Sequence, residues 1–270
     1  MYLIAHSRTR AFSLVELSIV LVILGLLVGG VLAGQSLIRA AELRSVSTEY
    51  TRYIAAVRSF RDKYFAIPGD MPNATAFWGT AASCPGDNTT PSTGAPTCNG
   101  NGNGELSQLN GNEYFRFWHH LSNAGLIEAT YTGVSDLNNP TSAVSTPGFN
   151  VPRSRISNAG WSVLYTASYD VTSTLYFDGN YGNFLVAGTA YPGGATRNPY
   201  LRPEESWNID TKLDDGKPAT GKIVTYEGQA VAGVNGCSTP VASAVATMAG
   251  SEYALSNNRI NCATIFRGDF

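Results

Sequence analysis

One carboxylate, Glu16, stands alone in an otherwise apolar run from Phe12 to Gly34. A charge there costs about 2.5–3.5 kcal/mol at the centre of a bilayer and less near its surface. Such an acid either meets a buried partner or sits at the boundary and snorkels to water, and position alone leaves both open. A second arrangement, Asn99-Gly-Asn101-Gly-Asn103-Gly-Glu105, places an oxygen-bearing side chain at every second position with glycine between. Calcium loops use such spacing because the oxygens converge while glycine permits the tight turn. Only Glu105 is a carboxylate in this run, Asp87 could join it, and a flexible Asn/Gly turn is the alternative. Asp210, Asp214 and Asp215 form another acidic group, either a metal site or a helix end followed by a type I turn.

Other candidate chemistry fails on spacing. Gly216-Lys-Pro-Ala-Thr-Gly221-Lys222 imitates a phosphate loop, but Ile223 stands where a magnesium-binding hydroxyl belongs. His119 and His120 are adjacent, so on a helix they point about 100° apart and do not readily share a metal. Neither G-x-S-x-G nor H-E-x-x-H occurs, and an enzyme is not expected. The 270 residues carry a net charge of −2 with no basic cluster along the chain, so no nucleic-acid partner is expected. Charged residues make up only 14%, which suits a loop-rich surface outside the cytoplasm.

The elements that must position these groups begin with the apolar run, long enough as a helix to cross the roughly 30 Å hydrocarbon of a bilayer. It follows a short basic segment, Met1–Ala11, with Arg8 and Arg10. A secretory signal has its apolar core ahead of the cut and loses it, whereas here the core would stay. Arg8 and Arg10 belong on the cytoplasmic side, which puts everything after Gly34 outside. No proline interrupts the chain from Phe12 to Ile67, and Val46, Tyr50, Tyr53, Val57, Phe60 and Tyr64 form one helical stripe. Glu42, Arg44, Glu49, Arg52, Arg58, Arg61 and Asp62 fall largely on other faces, and Pro68-Gly69 ends the run.

The sequence Ala11-Phe12-Ser13-Leu14-Val15-Glu16-Leu17-Ser18-Ile19-Val20 resembles the signal of type IV prepilins and type II secretion pseudopilins. The likeness is close over about thirty residues and persists in character over the next thirty. It implies that a prepilin peptidase cuts between Ala11 and Phe12 and methylates the new terminus. Ala11 stands where glycine is usual, and Ala33 where many members carry proline. The new α-amine at Phe12 would be mostly cationic at neutral pH. A neighbouring subunit's Glu16 could pair with it in an apolar core, a heterologous contact that propagates as a filament does. Gly25, Gly29, Gly30 and Gly34 give two G-x-x-x-G spacings, which permit close helix approach or are ordinary small-residue content.

The resemblance also implies the organisation: a cleaved leader at 1–11, a transmembrane and filament-core helix at 12–34, its amphipathic continuation at 35–66, and a globular domain at 67–270. The fold class expected is α+β, the long helix packed on an antiparallel sheet. Strands are expected at Trp161–Ala167, Ser173–Phe177, Asn183–Ala190 and Lys222–Tyr226, and helices near Trp78, at Asn112–Ile127 and at Pro203–Leu213. Four cysteines allow three pairings, with no C-x-x-C spacing for zinc. Near-neighbour pairing gives Cys84–Cys98 and Cys237–Cys262, feasible in an oxidising compartment; buried free thiols are the alternative. Expected partners are prepilin peptidase, other pilin or pseudopilin subunits, the assembly platform and the bacterial inner membrane, with the domain in the periplasm before assembly. Ile67-Pro-Gly-Asp-Met-Pro-Asn-Ala and the segment from Asp210 look like a subgroup of large prepilin-type proteins of Gram-negative bacteria. A structural subunit is the first expectation, a minor or tip subunit whose domain binds a ligand or secreted substrate the second, and a membrane-tethered periplasmic enzyme the third.

Overall fold

The computed structural model describes residues 13–82, 84, 94–106, 113–135, 144–167, 176–177, 179–191, 194–226, 236–239, 250–268 and 270. The chain divides into two compact units, Met1–Glu42 and Leu43–Phe270. Helix α1, Leu14–Tyr64, runs 51 residues through the boundary, as a proline-free stretch permits. In the first unit, the apolar side chains from Leu14 to Ile38 are exposed.

Within the second unit, Ser45, Val46, Glu49, Tyr53, Ala56, Val57 and Phe60 are buried, the three-and-four spacing of one helix face. Tyr50 and Tyr64 are half-buried at the margins of that face. Glu49 departs from the expected pattern, because 49 lies between 46 and 53 on the same side. Its carboxylate accepts the Trp161 indole N–H at 2.7 Å and the Arg155 backbone N–H at 2.9 Å, which offsets much of its desolvation. The helix stops at Phe65, whose φ of 54° breaks the spiral while its N–H closes on the Arg61 carbonyl at 2.8 Å.

A four-stranded antiparallel sheet faces this helix. Its strands are β1 (Ala159–Thr166), β2 (Gly182–Thr189), β3 (Ile223–Tyr226) and β6 (Ala263–Arg267), in the order β1-β2-β6-β3. Strand alternation sends Trp161, Val163, Leu185, Ala187 and Phe266 into the core shared with α1. Phe184, Val186, Val224, Tyr226 and Ile265 enter a second core on the opposite face. Tyr53 meets the Trp161 ring edge-on at 5.5 Å, and Tyr50 stacks on Phe266 at 4.7 Å. The fold is therefore the α+β arrangement expected, with a sheet covered on both faces.

Helix α2 (Thr75–Trp78) is a single turn, α3 is Glu113–Asn123, and α4 is Pro203–Leu213. Helix α4 begins as its sequence dictates: Pro203 occupies the first turn and Glu205 accepts the Arg202 N–H at 2.9 Å. Expected strands near Trp161, Asn183 and Lys222 match β1, β2 and β3, and the expected helix from Asn112 ends earlier, at Asn123. The expected strand Ser173–Phe177 lies outside the described residues except Tyr176 and Phe177, which are not in a strand. A two-stranded ribbon, β4 (Ser238–Thr239) with β5 (Glu252–Tyr253), completes the elements among the described residues. Disulfides join Cys84 to Cys98 and Cys237 to Cys262, the near-neighbour pairing.

Candidate processing and assembly site

The start of α1 is built by Ser13 and Glu16. The Ser13 backbone N–H donates to Glu16 Oε2 at 2.8 Å, and the Val15 N–H donates to Ser13 Oγ at 3.3 Å. The Leu17 N–H then closes the first helical bond to the Ser13 carbonyl at 3.1 Å. Serine followed three residues later by glutamate is the capping-box pattern, which satisfies amides that a helix N-terminus leaves orphaned. That role for Glu16 is legible in Ser13-Leu-Val-Glu16 and adds to the position in the apolar run. Ala11 and Phe12, the residues of the expected cut, lie outside the described residues.

Behind this cap the helix displays an apolar surface. Leu14, Leu26, Leu32, Leu37 and Ile38 are among its exposed side chains, and the most apolar stretch is wholly unburied. In water that exposure is unfavourable by about 25 cal/mol for every Å² of apolar surface, so a lipid or protein environment is its natural solvent. A Cβ added at Gly25, Gly29, Gly30 or Gly34 would meet nothing within 4 Å.

The Asn/Gly run has its oxygens engaged in local hydrogen bonds. Asn99 Oδ1 accepts the Thr75 N–H at 2.9 Å, Asn101 Oδ1 the Asn103 N–H at 2.9 Å, and Asn103 Oδ1 the Glu105 N–H at 2.9 Å. Glu105 Oε1 accepts the Tyr165 hydroxyl at 2.6 Å. The two amides between them turn the other way: Gly102 and Gly104 donate to the Asp70 carboxylate at 2.6 and 2.8 Å. The run is thus a backbone nest around a buried acid; of the four residues proposed for calcium, Asn101 and Asn103 form consecutive Asx-type turns, while Asn99 and Glu105 accept from distant Thr75 and Tyr165. Asp70 is the residue that sequence spacing passes over; its signal is an acid directly after Pro68-Gly69, where a turn must be closed.

Asp210, Asp214 and Asp215 do come together, with one oxygen of each within 4.8 Å of the others. Each is also engaged: Asp210 by the Tyr253 hydroxyl at 2.6 Å and the Gly216 N–H at 3.2 Å, Asp214 by the N–H groups of Lys222 and Ile223, and Asp215 by the Lys217 N–H. Burial pushes the Asp210 carboxyl up to about 7, with Asp215 and Asp214 adding to the rise and its two hydrogen bonds opposing it. Asp87, suggested as a partner of the Asn/Gly run, lies outside the described residues.

His119 and His120 sit on α3 and turn to different partners. His120 Nδ1 accepts the Gly69 N–H at 3.0 Å, so its proton is on Nε2, which lies 3.0 Å from Thr97 Oγ1. Burial holds its pKa well below the usual histidine range, helped by the charges of His119 and Arg116. His119 Nε2 donates to the Gly94 carbonyl at 3.0 Å. The pair is a packing and hydrogen-bonding device that ties α3 to the segment closed by Cys84–Cys98.

Residues 6–32 match the prokaryotic N-terminal methylation motif. The chain therefore carries a type IV prepilin-type signal, and the exposed apolar helix behind it points to membrane anchoring. No curated protein and no solved structure matches the chain.

Proposed function

We propose that this chain is a structural subunit of a type IV pilus or a type II secretion pseudopilus, processed by prepilin peptidase and assembled through α1. The observation that carries the proposal is the methylation motif over residues 6–32 running directly into an exposed apolar helix with Glu16 at its capped start. In this reading the precursor spans the bacterial inner membrane once with its domain in the periplasm, and the assembly platform then moves it into a filament. Arg8 and Arg10 directly precede the apolar run, and the positive-inside bias of such bases supports that orientation. Both disulfides are consistent with an oxidising compartment. The size of the domain from Ile67 onward favours a second reading, a minor or tip subunit whose domain holds a ligand or secreted substrate. Neither reading assigns catalysis to the chain.

Intact-mass measurement and N-terminal sequencing of membrane-extracted protein test the proposal. The expected mature chain begins at N-methylated Phe12; loss of Arg8 and Arg10 leaves 16 basic against 20 acidic side chains, a net of −4 before the new amine. A mature chain starting at Met1, or after the apolar run, would overturn it.

A further inference from the structure

Three Asn-Gly pairs stand end to end in the run that closes on Asp70: Asn99-Gly100, Asn101-Gly102 and Asn103-Gly104. Such a pair is a site of spontaneous chemistry, because asparagine is thermolabile and a following glycine has no Cβ to shield its nitrogen. The glycine nitrogen attacks the asparagine side-chain carbonyl carbon. A C–N bond forms, the bond to the side-chain NH2 breaks, and that group leaves with the amide proton as ammonia. A five-membered succinimide remains. Water then opens one of its two C–N bonds, giving aspartate, or isoaspartate with one extra methylene in the backbone. The net change is asparagine and water to a carboxylic acid and ammonia, with no oxidant or reductant.

Water has access to these residues, since Asn99, Asn101 and Asn103 are all exposed. The fold withholds the nucleophile instead. The Gly102 N–H donates to Asp70 Oδ1 at 2.6 Å and the Gly104 N–H to Asp70 Oδ2 at 2.8 Å, while the Gly100 N–H donates to the Met71 carbonyl at 2.9 Å. An amide nitrogen attacks only as its proton leaves, and a hydrogen bond from that proton to a carboxylate favours the neutral amide over its anion. The electrophiles are held as well, because Oδ1 of each of the three asparagines accepts a backbone N–H at 2.9 Å.

We infer that Asn101 and Asn103 are latent modification sites that the Asp70 carboxylate keeps closed. While the clasp holds, both remain asparagine; once it opens, they convert to aspartate and isoaspartate. Conversion runs one way, because ammonia is lost and water is in excess. It also sets new carboxylates beside Asp70, and isoaspartate shifts the amides out of register with their acceptor. An opening that outlasts ring closure thus becomes permanent. The three sites differ in what holds them. Gly104 is held by the carboxylate, Gly102 also donates to the Asp70 backbone carbonyl at 3.0 Å, and Gly100 does not use the Asp70 side chain. Loss of the carboxylate therefore releases Asn103 most, Asn101 less and Asn99 not at all.

The test incubates the full chain in detergent at pH 8 in ¹⁸O-labelled water, so that each conversion during the incubation carries the label. Fragmentation mass spectrometry of the peptide holding residues 99–105 then assigns it to a residue. Native wild type is expected to convert at Asn101 and Asn103 about tenfold or more slowly than the same chain in urea. Asp70→Ala is expected to speed Asn103 about tenfold or more and Asn101 by less, with Asn99 at its wild-type rate. Asn99 converting as fast as in urea would show that Asp70→Ala has unfolded. Asp70→Asn then takes its place: it keeps the size of the side chain and one acceptor, and is expected to release one site of the two. Equal rates in native and urea-treated wild type would overturn the inference whether or not either variant folds. A folded variant that converts no faster than wild type would overturn it by assigning protection to the backbone alone, and one that converts more slowly would overturn it by making Asp70 a base for the reaction.

Discussion

Asp210 holds a charge where the fold gives it little water. It has no exposed surface and answers to Tyr253 and Gly216, with two further aspartates beside it. Its folded pKa of about 7 lies above the value near 4 of an unfolded aspartate. Between those values the folded state keeps a proton that the unfolded state has lost, so stability falls as pH rises and levels off above about 7. The loss reaches at most about 4 kcal/mol. Asp210→Asn removes the charge and keeps an acceptor, so it should be more stable than wild type at pH 8 and nearly equal at pH 4. Urea unfolding of both proteins in detergent at the two pH values measures this; identical pH dependence in the two would contradict it. Glu16 poses a different question, since it both caps α1 and is proposed to receive a neighbour's Phe12 amine. Glu16→Ala removes cap and charge, whereas Glu16→Gln keeps the capping box and removes only the charge. If charge governs assembly, both variants should insert normally and lose filaments by tenfold or more, because leaving a buried amine unpaired costs about 3–5 kcal/mol. Normal filaments from Glu16→Gln, measured as sheared yield against membrane level, would assign the residue to capping alone.

Among the elements, the turn after α1 and the Asn/Gly run form a clasp centred on Asp70. Gly102 and Gly104 feed one carboxylate, and the Gly100 N–H reaches the Met71 carbonyl at 2.9 Å. The approach is so close that a Cβ on Gly100 would lie 2.4 Å from the Asp70 backbone. Asp70→Ala leaves two amides without their acceptor and should cost about 2–4 kcal/mol, with a comparable loss for Gly100→Ala. Thermal unfolding of the two variants measures it; losses below about 0.5 kcal/mol would mean that solvent replaces the clasp. The glycines and asparagines of this run are legible as a turn, and their alternation suggests converging oxygens. Which groups converge is not legible, because side chains and amides alternate in pointing to opposite sides. The amides found an acid about thirty residues upstream, and the Asn101 and Asn103 side chains capped their own turns.

For the whole molecule, the disulfides matter most. Cys237–Cys262 ties the β4–β5 ribbon to the head of β6, where Leu201 and Cys262 also exchange backbone hydrogen bonds. Replacing both cysteines by serine should lower stability by up to about 3.5 kcal/mol in the chain-entropy estimate for a loop of this length. Chemical unfolding of the full chain in detergent checks the value, and an unchanged midpoint would place the stabilisation elsewhere.

Local information alone determined the first third of the architecture. The apolar run, the helical stripe to Phe60, and the residues from Ala11 to Val20 each depend on neighbours within one or two turns, and so did β1, β2 and β3 through their β-branched and aromatic runs. Local disulfide pairing followed for the same reason. Tertiary structure decided the rest. β6 is five residues long and too short to announce itself, yet it lies between β2 and β3 because its Ala263, Ile265 and Phe266 complete cores on both faces of the sheet. Glu49 reads as surface charge until Trp161, over a hundred residues later, supplies an N–H donor. Turning that one acid inward, while five bases stay out, makes the face of α1 cationic in a chain whose total charge is slightly negative. Burial depends on which distant segment covers a residue, and no window of sequence contains that segment.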